Sequence, residues 1–361
     1  MTEFEEYRYQ RIAFNLVTSK NQKARRRLIK KNIGAKLLPE LSRSELKIPG
    51  FSDTEIDDIK TNYIKIAEEE VAKTRENNVE IIFKEEEFYP PLLSEIYDPP
   101  DYIYIKGNKE VLTTEKIAVV GSRKGSSYGW SCLNKILPDI CGAGLTIVSG
   151  MAYGIDSMAH KIALKENGST IGVNAGGLLH LYPAGNNGLI RQIIEKGCVI
   201  SEFALDTVPR PFYFPIRNRI IAGISKGILI AEAALKSGSL ITARLGLEQN
   251  RDIFAVPGKI DFPISQGTNY LIQQGAKLVT SAKDILEEYG IELEKDKKEE
   301  KFRFSQNEEK ILDLMADNEI KSIDYFVDRL EFSVSATISL LMGLLLKSVV
   351  IEESGGYRRI K

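Results

Sequence analysis

Histidine and cysteine are scarce in this chain, with 2 and 3 among 361 residues. Cys132, Cys141 and Cys198 stand in apolar settings with no C-x-x-C pair and no histidine cluster beside them. They read as buried reduced thiols, so neither a disulfide framework nor a transition-metal site is expected. No apolar run approaches the roughly 20 residues of a membrane span. The start, MTEFEEYRYQ, is acidic and polar where a secretory signal is basic and then apolar, which makes the cytoplasm the expected compartment. An excess of one charge sign is missing too: the formal net charge is -1. Any polyanion partner must therefore meet locally clustered basic residues. Two nucleotide-binding signatures, G-x-G-x-x-G and G-x-x-x-x-G-K-[ST], do not occur.

What is present is an ordinary globular composition, 43% hydrophobic and 27% charged, long enough for two or three domains. Residues 1–79 have helical patterning and read as a small SAM-like or helix-hairpin-helix domain. Within it, Ser52 and Glu55 have the spacing of a capping box. Its basic run, Lys20, Lys23, Arg25, Arg26, Arg27, Lys30 and Lys31, reads first as a solvated helix face and second as a phosphate contact. A proline-rich connection leads through the strand YIYIKG into alternating apolar strands and amphipathic helices. Residues 80–290 are thus expected to form a doubly wound α/β domain with a mostly parallel, extended Rossmann-like sheet. Residues 291–304 read as a charged linker, and 305–361, three helices and a hairpin, as a winged helix. The third of those helices has Ser333, Ser335, Thr337 and Ser339 at its expected exposed start and no basic residue, so base reading by it is disfavoured. Arg358, Arg359 and Lys361 are candidates for phosphate contact, an interaction module being the other reading.

In an open α/β sheet the ligand crevice lies outside the carboxyl ends of the strands. Those ends carry Gly121-Ser122-Arg123, Ser149-Gly150-Met151, Ala175-Gly176-Gly177, Glu202, Glu232 and Pro257-Gly258. Glycine and serine turns that open helices are expected to leave amide groups free for an anion, here at Ser122, Gly150 and Ser239. A second phosphate-sized turn is formed by Ser149, Gly150 and Gly154. Asp156 and His160 then share a helix face, as an acid/base pair or, the plainer reading, as a dipole-favoured carboxylate and a locally bonded imidazole. His180 has no obvious partner. Arg217 and Arg219 flank Asn218 in the expected first turn of a Pro-started helix, where cations oppose the helix dipole unless they serve as anion clamps. The turn Ser237-Gly238-Ser239 opens the next helix. Several such turns along one edge fit a repeated phosphate ligand.

The strings VGSR, SGMAYGID with Ala159-His160, YPAGN, FPIRNRIIAG, AEAALKSGSLITA, FAVPG and GTNYLIQQGAKLV, in order from about Phe88 to Leu286, resemble the DNA-processing protein A family, also called Smf. The resemblance implies a bacterial cytoplasmic protein that binds single-stranded DNA and helps load the RecA recombinase on it during natural transformation. It implies a homodimer with no cofactor and no established catalytic activity. By resemblance the basic pocket includes Arg123 and the segment Arg217, Asn218, Arg219. The assigned nucleic-acid set is Gly121, Ser122, Arg123, Ser149, Gly150, Tyr153, Gly154, Asn186, Phe214, Arg217, Asn218, Arg219, Ser237, Gly238 and Ser239. Tyr153 and Phe214 are expected to stack on bases. Leu271, Ile272, Gln273 and Leu278 are carried over as a dimer and recombinase surface. Two departures bear on affinity: Leu179 stands where the family commonly has aspartate, and Ala184 where relatives often have a basic residue. For Arg217→Ala or Arg219→Ala the expectation is weaker binding with the fold intact.

The alternative is a nucleotide-binding enzyme of the phosphoribohydrolase-like Rossmann group. Its Pro-Gly-Gly-x-Gly-Thr-x-x-Glu motif is absent here, and Glu202 and Glu232 are weak substitutes.

Overall fold

A computed structural model describes residues 3–20, 24, 27–28, 41–292, 304–315, 319–330, 332–346, 349–353 and 355–359. Lys23, Arg25, Arg26, Lys30 and Lys31 of the basic run, most of the charged linker, and Lys361 lie outside them. The chain divides into two compact units, Met1–Leu293 and Glu294–Lys361.

The first unit begins with α1 (Glu3–Lys20), α2 (Arg43–Lys47), α3 (Asp53–Lys60) and α4 (Tyr63–Glu76). The expected capping box is in place at α3: Ser52 accepts from the Glu55 amide, and Glu55 accepts from the Ser52 amide. These helices are fastened to the segment that opens the sheet. Arg11 on α1 is buried beside the Phe83 ring and donates to Glu85 at 2.6 Å and to the Asp101 carbonyl at 2.6 Å.

The sheet elements alternate with helices. In order they are β1 (Glu80–Phe83), β2 (Tyr102–Gly107), β3 (Lys116–Val120), α5 (Ser127–Gly142), β4 (Thr146–Ser149), α6 (Ile155–Lys165), β5 (Thr170–Val173), α7 (Asn187–Lys196) and β6 (Cys198–Ser201). Then come α8 (Tyr213–Gly223), β7 (Gly227–Ile230), α9 (Gly238–Glu248), β8 (Asp252–Ala255), α10 (Gln266–Gln273) and β9 (Lys277–Leu278). They form one nine-stranded sheet in the order β1-β2-β6-β5-β4-β3-β7-β8-β9. It is parallel from β6 to β9, with β2 antiparallel to β6 and β1 antiparallel to β2.

The strand runs are apolar on both faces because helices cover both. Along β3, Ile117 and Val119 enter the core on one side while Ala118 and Val120 enter it on the other. Ala118 pairs with Val148 of β4 on one flank and with Ile228 of β7 on the other. The chain runs outward from β3 through β6 and then crosses back to β7. The carboxyl ends of β3, β4 and β7 are therefore the switch point of the sheet, where such folds leave a crevice.

The second unit holds α11 (Gln306–Asp313), α12 (Ile323–Leu330), α13 (Val334–Leu346) and the antiparallel pair β10 (Val350–Glu353) and β11 (Gly356–Arg359). Its core gathers Ile311, Leu312, Phe326, Leu341, Leu344 and Tyr357. Contrary to expectation, Thr337 is buried, its hydroxyl donating to the Ser333 carbonyl one turn back at 3.1 Å. Ser333, Ser335 and Ser339 are exposed.

A candidate nucleic-acid interface at the sheet's switch point

The turn after β4 builds the floor of the crevice. Ser149 is buried and donates to the Val119 carbonyl at 2.7 Å, joining the ends of β4 and β3. The Asp156 carboxylate, at the start of α6, accepts from the amides of Gly150 at 3.1 Å and Ala152 at 3.4 Å. Gly154 takes φ of 75°, and a Cβ on it would lie 2.2 Å from the Ser122 carbonyl oxygen. Only glycine lets the two turns touch so closely. The contact is sealed by the Ile155 amide donating to that same carbonyl at 3.1 Å.

Helix α8 supplies one wall. Its first helical residue is Tyr213, so Arg217 and Arg219 sit in its middle and not in the expected first turn. Arg217 is 4% exposed; its guanidinium donates to the carbonyls of Gly150, at 2.8 Å, and Val173. Burial pushes its pKa down to about 10, against the pull of Asp156 and helped by the neighbouring charge of Arg123. Burial pushes the Asp156 carboxyl up, and Arg217 opposes that shift.

Arg123, on the turn after β3, is exposed and has no ion pair among the described residues. Its guanidinium lies 5.2 Å from the centroid of Phe214, and that of Arg217 lies 5.8 Å from it. Tyr182 packs edge-on against the same ring at 5.6 Å. Cation–ring contact thus gathers both arginines at one place. The capped start of α9 closes the other side, with the Ser237 hydroxyl accepting from the Ser239 amide at 3.3 Å.

The result is a cleft of about 230 Å³ whose lining includes Gly121, Arg123, Asp156, Phe214, Arg217 and Asn218, with Ser237, Gly238 and Ser239 opposite. Thr242, one turn into α9, also lines it and was missed in the sequence. Its spacing of three from Ser239 on one helix face was the available signal.

Several expectations are corrected. The amides of Ser122, Gly150 and Ser239 are not free: they donate to the Glu232 carbonyl at 2.8 Å, to Asp156 and to Ser237 respectively. In a packed crevice, turn amides that nothing else satisfies are capped by the nearest oxygen.

Arg219 does not join Arg217. Two positions apart on a helix, they point to different sides, and Arg219 pairs with buried Glu202, with Asp98 at 3.9 Å. Nor does Asn186 face the cleft; it latches the β4 turn through Met151 and Ser157, each at 2.8 Å. Tyr153 is half exposed and packs over Gly185.

His160 is buried and shares a hydrogen bond with Thr170 at 2.7 Å, with burial pushing its pKa down to about 3. It is a neutral packing group, as the plainer reading held. Glu232 is committed as well, accepting from the amide and hydroxyl of Ser126. Of the carried-over surface, Leu271 is buried and Ile272 packs on the core, while Gln273 and Leu278 are exposed.

A doubly wound sheet with a cationic, ring-backed cleft at its switch point defines the class: a Rossmann-like protein. The family emerges from comparison. A family model for DNA recombination-mediator protein A matches residues 80–290. Protein Smf of Escherichia coli is 39% identical over 292 residues, spanning 79% of this chain and 78% of that protein. DNA processing protein DprA of Streptococcus pneumoniae is 47% identical over 201 residues, 56% of this chain and 71% of that protein. The X-ray structure of the pneumococcal DprA superposes with a TM-score of 0.62 at 36% identity, covering 80% of this chain and 98% of that one. A Helicobacter pylori DNA processing protein A structure, described for its single-stranded DNA binding mode, gives 0.53 at 29% identity, covering 58% and 95%. The chain belongs to the DNA recombination-mediator protein A family. Among the described residues, no helix is long and apolar enough to cross a membrane.

Proposed function

We propose that this chain binds single-stranded DNA in the switch-point cleft and acts as a cytoplasmic, non-enzymatic mediator. As a homodimer it passes the strand to the RecA recombinase. The observation that carries the reading is Arg123: an exposed guanidinium lining the cleft, without an ion pair among the described residues, seated on Phe214 beside Arg217. Arg123 is free to neutralise a phosphate, and buried Arg217 adds positive potential beneath it. Family membership supports the mediator role, and the H. pylori relative is described as binding single-stranded DNA. The pairing of Glu202 with Arg219 and of Glu232 with Ser126 supports the non-enzymatic reading over glycosidic chemistry.

The test is a titration of labelled single- and double-stranded oligonucleotides at several salt concentrations. Single strands are expected to bind more tightly. Arg123→Ala should weaken binding and flatten the plot of log K against log[salt] by about 0.7, the share of one phosphate contact. An unaltered slope and affinity reject the assigned cleft, and release of free base from nucleoside monophosphates rejects the non-enzymatic role.

A further inference from the structure

We infer that Arg219 is a positioning residue: through Glu202 it fixes the cleft helix α8 to the N-terminal helices, and it touches no phosphate itself. The inference rests on the cleft reading above and refines it, because Arg219 belongs to the Arg-Asn-Arg segment that the sequence suggests as a joint clamp.

Three parts of the chain converge on Arg219. Its guanidinium meets the buried Glu202 carboxylate just beyond β6, with Asp98 of the proline-rich connection 3.9 Å away. Its backbone carbonyl accepts from the Gln249 side chain, past the far end of α9, at 3.3 Å. Its side chain is absent from the cleft lining that holds Phe214, Arg217 and Asn218 of the same helix.

The segment that carries Glu202 is itself held from the other side. Asn15 of α1 donates to the Glu202 carbonyl at 3.1 Å and to the Tyr102 hydroxyl at 3.0 Å. Three residues on, the Leu205 amide donates to Glu70 of α4 at 2.9 Å, and Glu70 also accepts from Tyr104 at 2.9 Å. Phe203, between these points, packs on Tyr213 at the start of α8 with ring centroids 4.5 Å apart.

So residues 202–205 are pinned to α1 and α4 on one side and grip α8 at Tyr213 and Arg219 on the other. Helix α8 carries Phe214 and Arg217 on its cleft face. A rotation or slide of the helix would change where Arg217 and the ring that seats Arg123 are presented. Groups that bind must be held by partners that lock their geometry, and a buried, hydrogen-bonded ion pair is a directional lock, lost when either member is removed.

Two predictions distinguish a positioning residue from a contact. A contact removed lowers the salt slope, whereas a misplaced helix weakens binding while leaving the number of neutralised phosphates unaltered. Removing the Glu202 charge would release a contact arginine toward DNA and tighten binding, but would weaken binding if the pair is a lock.

The experiment uses the full chain, a labelled oligothymidylate, anisotropy titrations at several NaCl concentrations, and melting curves to verify folding. Arg219→Gln and Glu202→Gln are each expected to lose roughly five- to tenfold in affinity with the wild-type salt slope. The double variant should be no worse than the weaker single one, since both break the same lock. If Arg219→Gln does not fold, the double variant, which leaves no lone buried charge, and Arg219→Lys carry the test.

A slope lowered by about 0.7 in Arg219→Gln, or tighter binding by Glu202→Gln, overturns the inference and leaves the cleft reading standing. Wild-type affinity in both, with Arg123→Ala weakened, does the same. Wild-type affinity in Arg123→Ala as well removes the cleft reading and this inference with it.

Discussion

Helix α8 of the sheet unit and helix α13 of the C-terminal unit present opposite chemistry. The cleft face of α8 carries Phe214, Arg217 and Asn218. The outer face of α13 carries Val334, Ile338 and Met342, 52%, 39% and 54% exposed, at successive spacings of four, with exposed Ser335 and Ser339 beside them. That stripe has no cation for a phosphate, whereas α8 has a guanidinium whose charge is kept in place by backbone carbonyls and a ring. A surface for a polyanion needs held charge more than exposure, and the cleft face of α8 supplies it where the stripe on α13 does not.

Substitutions in the two helices and around the cleft test this difference. The largest effect is expected from Arg217→Ala. It orphans the carbonyls of Gly150 and Val173 and should cost roughly 2–5 kcal/mol in urea or thermal unfolding. The fold-neutral behaviour that the sequence suggests for this variant is thereby corrected, because the side chain is a buried strut. Gly154→Ala comes next: its Cβ would meet the Ser122 carbonyl at 2.2 Å. The strained backbone and parted turns should cost roughly 1–3 kcal/mol and weaken binding in the same titration.

A third test concerns pH. His160 has its pKa lowered from 6.5 to about 3, so below pH 6.5 the unfolded chain takes up a proton that the folded chain refuses. Its contribution is full above 6.5 and is lost on acidification toward 3, at up to about 1.4 kcal/mol per pH unit. His160→Gln should remove that share of the decline, seen as a smaller drop in urea midpoint between pH 7 and 4.5. The smallest effect belongs to Ile338→Ser on α13, which should alter stability by no more than about 0.5 kcal/mol and leave single-strand affinity at the wild-type value.

The strands from β2 to β8 are legible because each is a short, largely buried apolar run between turn residues, while β9, only Lys277 and Leu278 at one edge, is partly exposed. Strand β1 was not foreseen: its four residues at the other sheet edge pass from exposed Glu80 to buried Ile82 and Phe83 without alternating, which is too little pattern to read. The Ser52 capping box was legible for the same local reason, since its partners are three residues apart. In the site, the glycine turns and Arg123 were readable from their places at strand ends, whereas Arg217 and Asn218 were read from their helix and the family resemblance. The state of the turn amides was not, because Ser122 is capped by Glu232 from β7's end and not by anything in its own motif.

The wound sheet, the edge at which a ligand meets it and the arginines near that edge follow from local sequence. Periodicity, turn chemistry and strand-end position are properties of neighbouring residues. Which arginine is free, which is a strut and which is locked away depends on the assembled fold. Arg217 finds its acceptors 67 and 44 residues distant, and Arg219 its carboxylate 17 residues distant on the opposite side of the helix. A guanidinium goes where unsatisfied oxygens are, and their positions exist only once the strands have assembled.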